Sequence, residues 1–378
     1  MEREELAAWL GLTLTPGIGN ETARKLLAAF GLPELVFRQT AQALEQVVSA
    51  PLAAGLRAPA PELDALLQST WNWLQEDPDH RQVIAIGDAR YPASLLTIDA
   101  PPLLLYMMGR LDLTVEATAC LAIVGSRNPT PQGVLNARAF AHALNQAGLT
   151  IVSGLALGVD AAAHEGALEA GAAQSHGLAT IAVVGTGLDR VYPKSHHRLA
   201  HRIAERGLLV SEYPLGTPPL AANFPRRNRL IAGLSCATLV VEATLKSGSL
   251  ITARLAADQG KDVFAIPGSI HSLQSHGCHA LIRQGAKLVE SAQDVLEELP
   301  APATLATLRA SLPRERPEGR ETRDSLLDAI GFDPVGLDAL QARTGLATAP
   351  LQSRLMTLEL QGDVARLPGG LFQRIAKA

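Results

Sequence analysis

Between about residue 111 and residue 298, short apolar runs alternate with stretches whose apolar residues recur at helical spacing. The runs are nearly continuous rather than alternating, which is typical of parallel strands buried on both faces of a sheet. This order predicts a doubly wound, Rossmann-like α/β fold with its ligand site at the carboxyl ends of the strands. The predicted strands are 120–124, 150–152, 180–184, 208–211, 237–241, 262–266 and 287–289, and the predicted helices are 133–147, 159–170, 197–206, 250–259 and 278–284.

Residues 1–75 have a helical pattern throughout and predict an N-terminal helix-hairpin-helix or SAM-like domain. A tight turn precedes a helix that Asn20 is expected to cap and Gly31 to end. The Gly-Ile-Gly of this turn, at 17–19, can aim backbone N–H groups at a phosphate. The same pattern also fits a compact helical docking domain that contacts no DNA, and both interpretations stay open.

The end of the chain predicts a small module behind a linker. Residues 299–321 combine proline, glycine and mixed charge, as solvated tethers do. Three helical patterns and a strand pair follow, which is the winged-helix plan, but Arg354 is the only cation on the third helix. A protein contact or a regulatory role is therefore at least as well indicated as DNA binding. The predicted segments are a helical domain at 1–75, a Rossmann-like DNA-binding domain with an N-terminal extension at 76–298, a linker at 299–321 and a winged-helix-like domain at 322–378.

Composition restricts the class of protein. The chain has 378 residues, of which 47% are hydrophobic and 19% charged, a balance typical of packed globular domains. No apolar segment could span a bilayer and the charged start lacks the features of a secretory signal, so we expect a cytoplasmic protein without a membrane partner. The net charge of -4 excludes a uniformly basic coat, so nucleic-acid binding requires a local patch. The separated Cys120, Cys236 and Cys278 are expected to be small core residues in a reducing compartment.

Polar, glycine-rich segments follow successive predicted strands, whose carboxyl ends meet at one edge of a doubly wound sheet. Glycine lets a backbone approach a phosphate closely, serine adds hydrogen bonds, and arginine and lysine neutralise the charge. Each segment is weak by itself, and their repetition is what predicts a phosphate-binding edge. The predicted DNA-binding residues are Gly125, Ser126, Arg127, Ser153, Gly154, Lys194, Arg226, Arg227, Asn228, Arg229, Lys246, Ser247, Gly248 and Ser249.

The motifs of common nucleotide enzymes are missing. There is no P-loop, no strict Gly-x-Gly-x-x-Gly after the first strand, and no complete Gly-x-Ser-x-Gly elbow. Asp160 and His164 are four residues apart on a helix, where a capping carboxylate and a hydrogen-bonded histidine explain them better than a metal site. We therefore expect no catalytic residue, no metal and no cofactor. A basic stretch without metal-ligand spacing holds His196, His197 and His201.

The central region carries ordered motifs: Ala-Ile-Val-Gly-Ser-Arg at 122–127, Ser-Gly-Leu-Ala-Leu-Gly-Val-Asp at 153–160 with His164, Phe-Pro-Arg-Arg-Asn-Arg at 224–229, Glu-Ala at 242–243 with Ser-Gly-Ser-Leu at 247–250, Pro-Gly at 267–268, and Leu-Ile-Arg-Gln-Gly-Ala at 281–286. Together they resemble the DNA-processing protein A family, also called DprA or Smf. The resemblance covers about residues 90–290. Both terminal segments are also similar to domains that members often carry.

The resemblance implies a homodimer that binds and protects incoming single-stranded DNA and loads the RecA recombinase onto it, in natural transformation and recombination, without catalysis. From their own sequence patterns, the terminal domains are expected to make weak contacts with duplex DNA or protein. His196 and His279 stand where the family usually has Asn, and both retain hydrogen-bonding ability. By motif position, the DNA contacts would be Ser126, Arg127, Lys194, Arg227, Asn228, Lys246 and the 247–249 turn.

Two other classes of function compete with this interpretation. An enzyme that processes nucleoside monophosphates, similar to the phosphoribohydrolases, would use a related sheet, but the turn at 267–270 lacks their Pro-Gly-Gly-x-Gly-Thr-x-x-Glu motif. A scaffold that binds only proteins would not bind oligonucleotides at all. Aromatic residues are 4% of the chain, so we expect phosphate contacts rather than an extended ladder of stacked bases.

Overall fold

The computed structural model describes residues 1–58, 60–113, 119–170, 177–299 and 324–375. Its first part contains only helices and turns as far as Glu76, which confirms the helical pattern predicted there for the described residues. Helices α1 to α6 are Arg3–Leu14, Asn20–Phe30, Pro33–Phe37, Ala41–Leu44, Ala50–Leu56 and Leu63–Glu76.

Of the two predicted ends of α2, the C-terminal one is confirmed and the N-terminal one is wrong. Gly31 ends the helix as expected, with φ at +86°, a backbone conformation that glycine adopts without strain. The prediction that Asn20 caps the helix is wrong, because Gly19 occupies the cap position and Asn20 is the first helical residue. The Asn20 side chain instead donates a hydrogen bond to the carbonyl of Ala100 at 3.2 Å. This bond ties the N-terminal helices to the loop before the second strand.

One sheet forms the centre of the fold. Its strands β3 to β9 are parallel and confirm the predicted doubly wound pattern, with ends within one residue of those predicted. Strands β1 and β2 were not predicted, and they extend the sheet antiparallel beside β6. Within the described ranges the strands are Arg81–Ala85, Leu104–Gly109, Cys120–Val124, Thr150–Ser153, Thr180–Val183, Leu208–Ser211, Ala237–Val240, Asp262–Ala265 and Lys287–Leu288.

The order of the strands places a crevice at β3. The order across the sheet is β1-β2-β6-β5-β4-β3-β7-β8-β9. After β3 the chain adds β4, β5 and β6 on one side of that strand, and it then returns to place β7 on the other side. The two directions diverge between β3 and β7. In open α/β sheets this switch point, at the carboxyl ends of the strands, is where ligands bind.

Helices cover both faces of the sheet. Leu121 and Ile123 of β3 pack under α8, α9 and α14, while Ala122 and Val124 face α11, α12 and α13 on the other side. Alternate residues of one strand therefore enter different cores, as a doubly wound sheet requires. Helices α7 to α14 are Ala93–Leu96, Pro131–Gln146, Val159–Ala170, His197–Arg206, Asn223–Leu234, Ser249–Asp258, His276–Arg283 and Ala292–Glu298.

One predicted turn is a helix. The motif at 223–229 was assigned to a loop after the fourth predicted strand, but it forms the first half of α11. Asn223, Arg227, Leu230, Ile231 and Leu234 are buried on a single face of this helix. The polar residues of the motif therefore point in several directions, some of them into the protein.

The C-terminal module has the predicted winged-helix plan, with a short extra strand before its second helix. The three strands form an antiparallel sheet of order β10-β12-β11. The predicted linker lies outside the described residues apart from Leu299. The helices α15 to α17 are Ser325–Ile330, Leu337–Thr344 and Thr348–Leu360, and the strands β10 to β12 are Val335–Gly336, Val364–Leu367 and Leu371–Arg374.

The cysteines differ in their exposure. Cys120 and Cys278 are buried as predicted, but Cys236 is exposed just before β7, so that prediction is wrong for this residue. None of the three forms a disulfide. Across the described ranges, no helix combines the length and the hydrophobicity needed to cross a membrane.

Candidate nucleic-acid interface

An open polar pocket of about 400 Å³ lies at the switch point, with walls from the loop after β3, the start of α11, and the turn between β7 and α12. It contains most of the predicted DNA-binding residues. Those in its wall are Gly125, Ser126, Arg127, Arg227, Asn228, Lys246, Ser247, Gly248 and Ser249, while Ser153, Gly154, Lys194, Arg226 and Arg229 are not.

The loop after β3 forms one wall. A Cβ at Gly125 would lie 2.7 Å from Val159 Cγ2 and 2.9 Å from the carbonyl oxygen of Glu242, so only glycine fits between these two segments. Ser126 is buried, and its hydroxyl accepts a hydrogen bond from the N–H of Asn128 at 3.1 Å. The loop is thus held tightly where it enters the pocket.

The turn between β7 and α12 forms the opposite wall. The hydroxyl groups of Ser247 and Ser249 are 2.7 Å apart, and the Asn228 amide donates to the Gly248 carbonyl at 3.3 Å. Lys246 is exposed beside them and has no partner in the described part of the chain. Because α12 begins at this turn, the positive end of its dipole adds to the lysine charge at the pocket.

Arg227 contributes a buried cation. Only 4% of its surface is exposed, and a Cβ at Gly154 would lie 1.4 Å from its Nη1. Glycine at 154 thus provides the space that the guanidinium fills. Burial lowers the pKa of Arg227 to about 10, against the opposing influence of Asp160, so the side chain stays charged at neutral pH. Its Nε has no hydrogen-bond partner among the described residues.

The predicted phosphate-binding turn at 153–160 is already occupied by a carboxylate. Asp160 Oδ2 accepts hydrogen bonds from the N–H groups of Gly154 and Ala156, at 3.1 and 3.3 Å. Burial raises the pKa of Asp160, while the charge of Arg227 opposes this. Ser153 is fully buried and donates to the carbonyl of Ile123 at 2.6 Å. Ser153 and Gly154 therefore support Arg227 from within the protein and offer no groups to a ligand.

His164 lies in the same buried region, as a hydrogen-bonded histidine rather than a metal ligand. The Thr180 hydroxyl donates to the carbonyl of Ile151 at 2.6 Å, so it must accept from His164 Nδ1 at 2.7 Å. The neutral ring thus carries its proton on Nδ1, and Nε2 is buried with no partner in the described part of the chain. Burial, reinforced by the charge of Arg227, lowers the pKa of His164 to about 3. Among the described residues no group of three or more His, Cys, Asp or Glu side chains could hold a metal ion.

The remaining predicted arginines have different surroundings. Arg229 forms a largely buried ion pair with Glu212, so its charge is already balanced within the protein. Burial raises the pKa of Glu212, and Arg229 opposes the shift. Arg226 is exposed on α11 outside the pocket wall.

Lys194 lies on a neighbouring surface turn that aromatic side chains connect to the pocket. Lys194 is exposed on a single 3₁₀ turn, Lys194–His196. The ring of Tyr192 lies 5.5 Å from that of Phe224, and the guanidinium of Arg127 lies 5.9 Å from the Phe224 centroid. Phe224 was within a predicted motif but was not singled out, although a lone aromatic residue in a basic motif is typical of nucleic-acid contacts.

His196 and His279, which the resemblance sets against asparagines, both make hydrogen bonds to carbonyl groups. His196 Nδ1 lies 3.0 Å from the oxygen of Leu155, and His279 Nε2 lies 3.0 Å from that of Gly268. A carbonyl only accepts, so each ring nitrogen is protonated and donates. In this structure both side chains hold loops in place.

Two features of the terminal modules bear on DNA binding. Gly17, in the Gly-Ile-Gly turn, has a φ of +81°. Arg354, the only cation on α17, is paired with Asp324 at 2.6 Å. The exposed face of α17 presents Met356 and Leu360, which are 64% and 81% exposed. Such a face is better suited to a protein than to phosphates.

Comparisons with known proteins agree with this fold. Residues 82–300 match the family model for DNA recombination-mediator protein A, and residues 310–370 match that for the DprA winged helix domain. The Smf protein of Synechocystis sp. is 36% identical over 99% of this chain and 100% of its own. The DNA processing protein DprA of Streptococcus pneumoniae is 45% identical over 65% of this chain and 84% of its own.

Two solved structures are similar as well. The DprA of Streptococcus pneumoniae superposes with a TM-score of 0.67 at 36% identity, over 80% of this chain and 99% of that one. The DprA of Helicobacter pylori, which is described with a single-stranded DNA binding mode, gives 0.51 at 31% identity over 62% and 99%. The Rossmann-like sheet, the winged helix, the pocket motifs and these matches lead to one conclusion: the chain belongs to the DprA/Smf family of DNA-processing proteins.

Proposed function

We propose that this protein binds single-stranded DNA in the pocket at the switch point and acts without catalysis. The observation that carries the proposal is that exposed Arg127, exposed Lys246 and buried Arg227 line one polar, open pocket. Three cations around one concave site suit the closely spaced charges of a phosphodiester backbone. The single-stranded DNA binding described for the Helicobacter pylori relative supports the same ligand.

The aromatic pair beside the pocket favours single strands over duplexes. Phe224 lines the pocket and contacts Tyr192, which is 48% exposed. In a duplex the bases are paired and stacked, whereas an unpaired base can lie against such a ring. With few aromatic groups at the site, we expect little preference for sequence.

The finer role follows from the family. We propose that the protein is a cytoplasmic homodimer that protects incoming DNA and loads RecA onto it during natural transformation and recombination. Membership in a family of recombination mediators supports this role. We assign weak contacts with duplex DNA or protein to the terminal domains. The apolar exposed face of α17 favours protein for the winged helix.

A nucleotide-processing enzyme is less well supported by the chemistry of the site. The carboxylate in the pocket wall, Asp160, already accepts two backbone hydrogen bonds. Glu242, in the segment after β7, accepts hydrogen bonds from the N–H and the hydroxyl of Thr130, at 2.9 and 2.6 Å. Burial raises the pKa of Glu242 while these bonds oppose the shift. The carboxylate therefore anchors the start of α8. Release of free base from a nucleoside monophosphate by the purified protein would contradict the non-catalytic proposal.

The test of the proposed function is the salt dependence of oligonucleotide binding. If Arg127, Lys194, Arg227 and Lys246 each neutralise one phosphate, log K for single-stranded DNA should fall with log[salt] at a slope of about −3 per subunit. Arg127→Ala and Lys246→Ala should each flatten that slope by about 0.7, since each removes one phosphate contact. Fluorescence anisotropy with labelled single-stranded and duplex oligonucleotides over a salt series measures both quantities.

Arg38→Ala is the matched control, because Arg38 is exposed on a helical part remote in sequence from the pocket motifs. It should leave the slope unchanged. Equal affinity for single strands and duplexes, or an unchanged slope in both pocket variants, would contradict the proposal.

A further inference from the structure

Helix α10 presents a basic surface outside the pocket wall, beginning at Lys194, which the salt slope above already counts as a phosphate contact. Lys194 precedes the helix, and His197, Arg198, His201 and Arg202 are all exposed on it, while Leu199, Ala200 and Ile203 are buried against the sheet. We call Lys194, Arg198 and Arg202, together with the two histidines, the α10 ridge. In a chain with a net charge of -4, such a one-sided accumulation of positive charge is a local exception.

The charges of the ridge have no partners among the residues that the structure describes. Neither Arg198 nor Arg202 forms an ion pair or hydrogen bond within the part of the chain that the structure describes, and Lys194 forms none either. The nearby Arg138, Arg190 and Arg206, in contrast, each contact an acidic side chain or a carbonyl. The ridge is therefore available to an external anion.

The arrangement also opposes the stability of the helix itself. The first turn of α10 contains no acidic residue, although acidic side chains are favoured there and basic ones are disfavoured by the helix dipole. Arg198 and Arg202 are four residues apart, a spacing at which like charges repel. The only acid of the helix, Glu205, lies in its last turn. Since the basic face costs stability, an interaction outside the helix is the better explanation of it.

The ridge is continuous with the pocket. The turn that precedes α10 is bound to the loop after β4 by the His196 hydrogen bond to Leu155. Tyr192, two residues before Lys194, contacts Phe224 in the pocket wall. A strand that leaves the pocket past these rings would meet Lys194 first, and then the exposed arginines of α10.

We propose that the α10 ridge is a second binding segment for single-stranded DNA, which receives the backbone after it leaves the pocket. The inference rests on the proposed function, because it assigns the next stretch of the same ligand. Ten residues at 1.5 Å each make α10 about 15 Å long, enough for roughly two or three phosphates of an extended strand. Recognition there is mainly ionic, since the ridge has no Phe, Tyr or Trp side chain.

The experiment compares a short with a long oligonucleotide on the Arg198→Ala/Arg202→Ala double variant of the full chain. For an oligothymidylate of about 20 nucleotides, loss of two phosphate contacts should flatten the salt slope by about 1.4 and weaken binding about tenfold at 0.15 M salt. An oligonucleotide of about 5 nucleotides, which occupies the pocket alone, should bind within about twofold of the unaltered protein. Alanine favours the helix, so the variant should fold, which circular dichroism verifies.

The Arg38→Ala/Arg57→Ala double variant changes the net charge equally, at two exposed arginines of the N-terminal helices. It should leave both affinities unchanged, which separates a local contact from a general effect of charge. If the α10 variant bound the long oligonucleotide with unchanged affinity, or lost equal affinity for the short and the long one, the proposal that the ridge binds DNA would be wrong. If the unaltered protein binds neither oligonucleotide, the proposed function fails as well. If the unaltered protein binds the short oligonucleotide and the α10 variant binds the long one with unchanged affinity, only the ridge proposal is contradicted and the proposed function is not.

Discussion

Arg227→Ala is expected to lower the free energy of unfolding by about 3–5 kcal/mol at neutral pH and to abolish tight binding of single-stranded DNA. Both effects have one origin. Arg227 and Asp160 are both buried, with 4% and 7% of their surfaces exposed. Burial lowers the pKa of Arg227 and raises the pKa of Asp160, and in each case the charge of the other residue is the strongest opposing influence. Removing the guanidinium leaves a carboxylate buried without its countercharge. Urea unfolding of the full chain, monitored by circular dichroism, measures the loss.

A second substitution tests the cause. Asp160→Asn keeps an oxygen that can accept from the N–H groups of Gly154 and Ala156 but removes the charge. Added to Arg227→Ala, it should recover at least about 1 kcal/mol, and a double-mutant cycle gives the coupling free energy. Arg38→Ala should change stability by less than about 0.5 kcal/mol. If the effects of the two substitutions on the free energy of unfolding were additive, the coupling free energy would be zero and the two charges would not stabilise each other.

Acid is expected to destabilise the protein through His164. Its pKa is lowered from 6.5 to about 3 in the fold, so between these values the unfolded chain binds the proton and the folded chain does not. The stability that this difference contributes is therefore present above pH 6.5 and is lost as the pH falls towards 3. From about pH 6.5 to pH 4 the contribution of His164 should fall by on the order of 3 kcal/mol.

His164→Asn isolates this effect, because an asparagine amide can still donate to the Thr180 hydroxyl but does not titrate. The variant should lose less stability than the unaltered protein over the same pH range, in denaturant titrations at several pH values. The exposed His271 provides the control, and His271→Asn should leave the pH dependence unchanged. Parallel curves for the His164 variant and the unaltered protein would contradict a buried neutral imidazole.

The sheet was predictable because buried parallel strands leave continuous apolar runs in the sequence. Strands β1 and β2 were missed because they follow a helical region and pair antiparallel at the edge, outside the repeating strand-helix pattern. The 223–229 segment was taken for a turn because its residues are mostly polar. Its helical character depends on Leu230, Ile231 and Leu234 further along, which share a face with Asn223 and Arg227.

The helical arrangement of residues 223–229 also determines where each arginine of this segment lies relative to the pocket. Arg226, Arg227 and Arg229 look equivalent in the sequence, yet one is exposed, one is buried below the pocket and one is paired with Glu212. The spacing from Arg227 to Ile231 and Leu234 could have identified the buried arginine once the segment was known to be helical. Occupation of the Gly154 and Ala156 amides by Asp160 was not predictable, since it depends on how a loop folds back on its own helix.

The tight fit of Arg227 over Gly154 also has a consequence for the energetics of anion capture. A free arginine side chain loses roughly 2 kcal/mol of rotamer entropy when it is immobilised. At position 227 the fold has already imposed that restriction, because the guanidinium fills the volume that any larger residue at 154 would need. An anion that enters the pocket therefore encounters one rigid cation and two adaptable ones at the rim, Arg127 and Lys246. The rigid cation sets the point of attachment, while the other two adjust to the path of the chain that carries the charge.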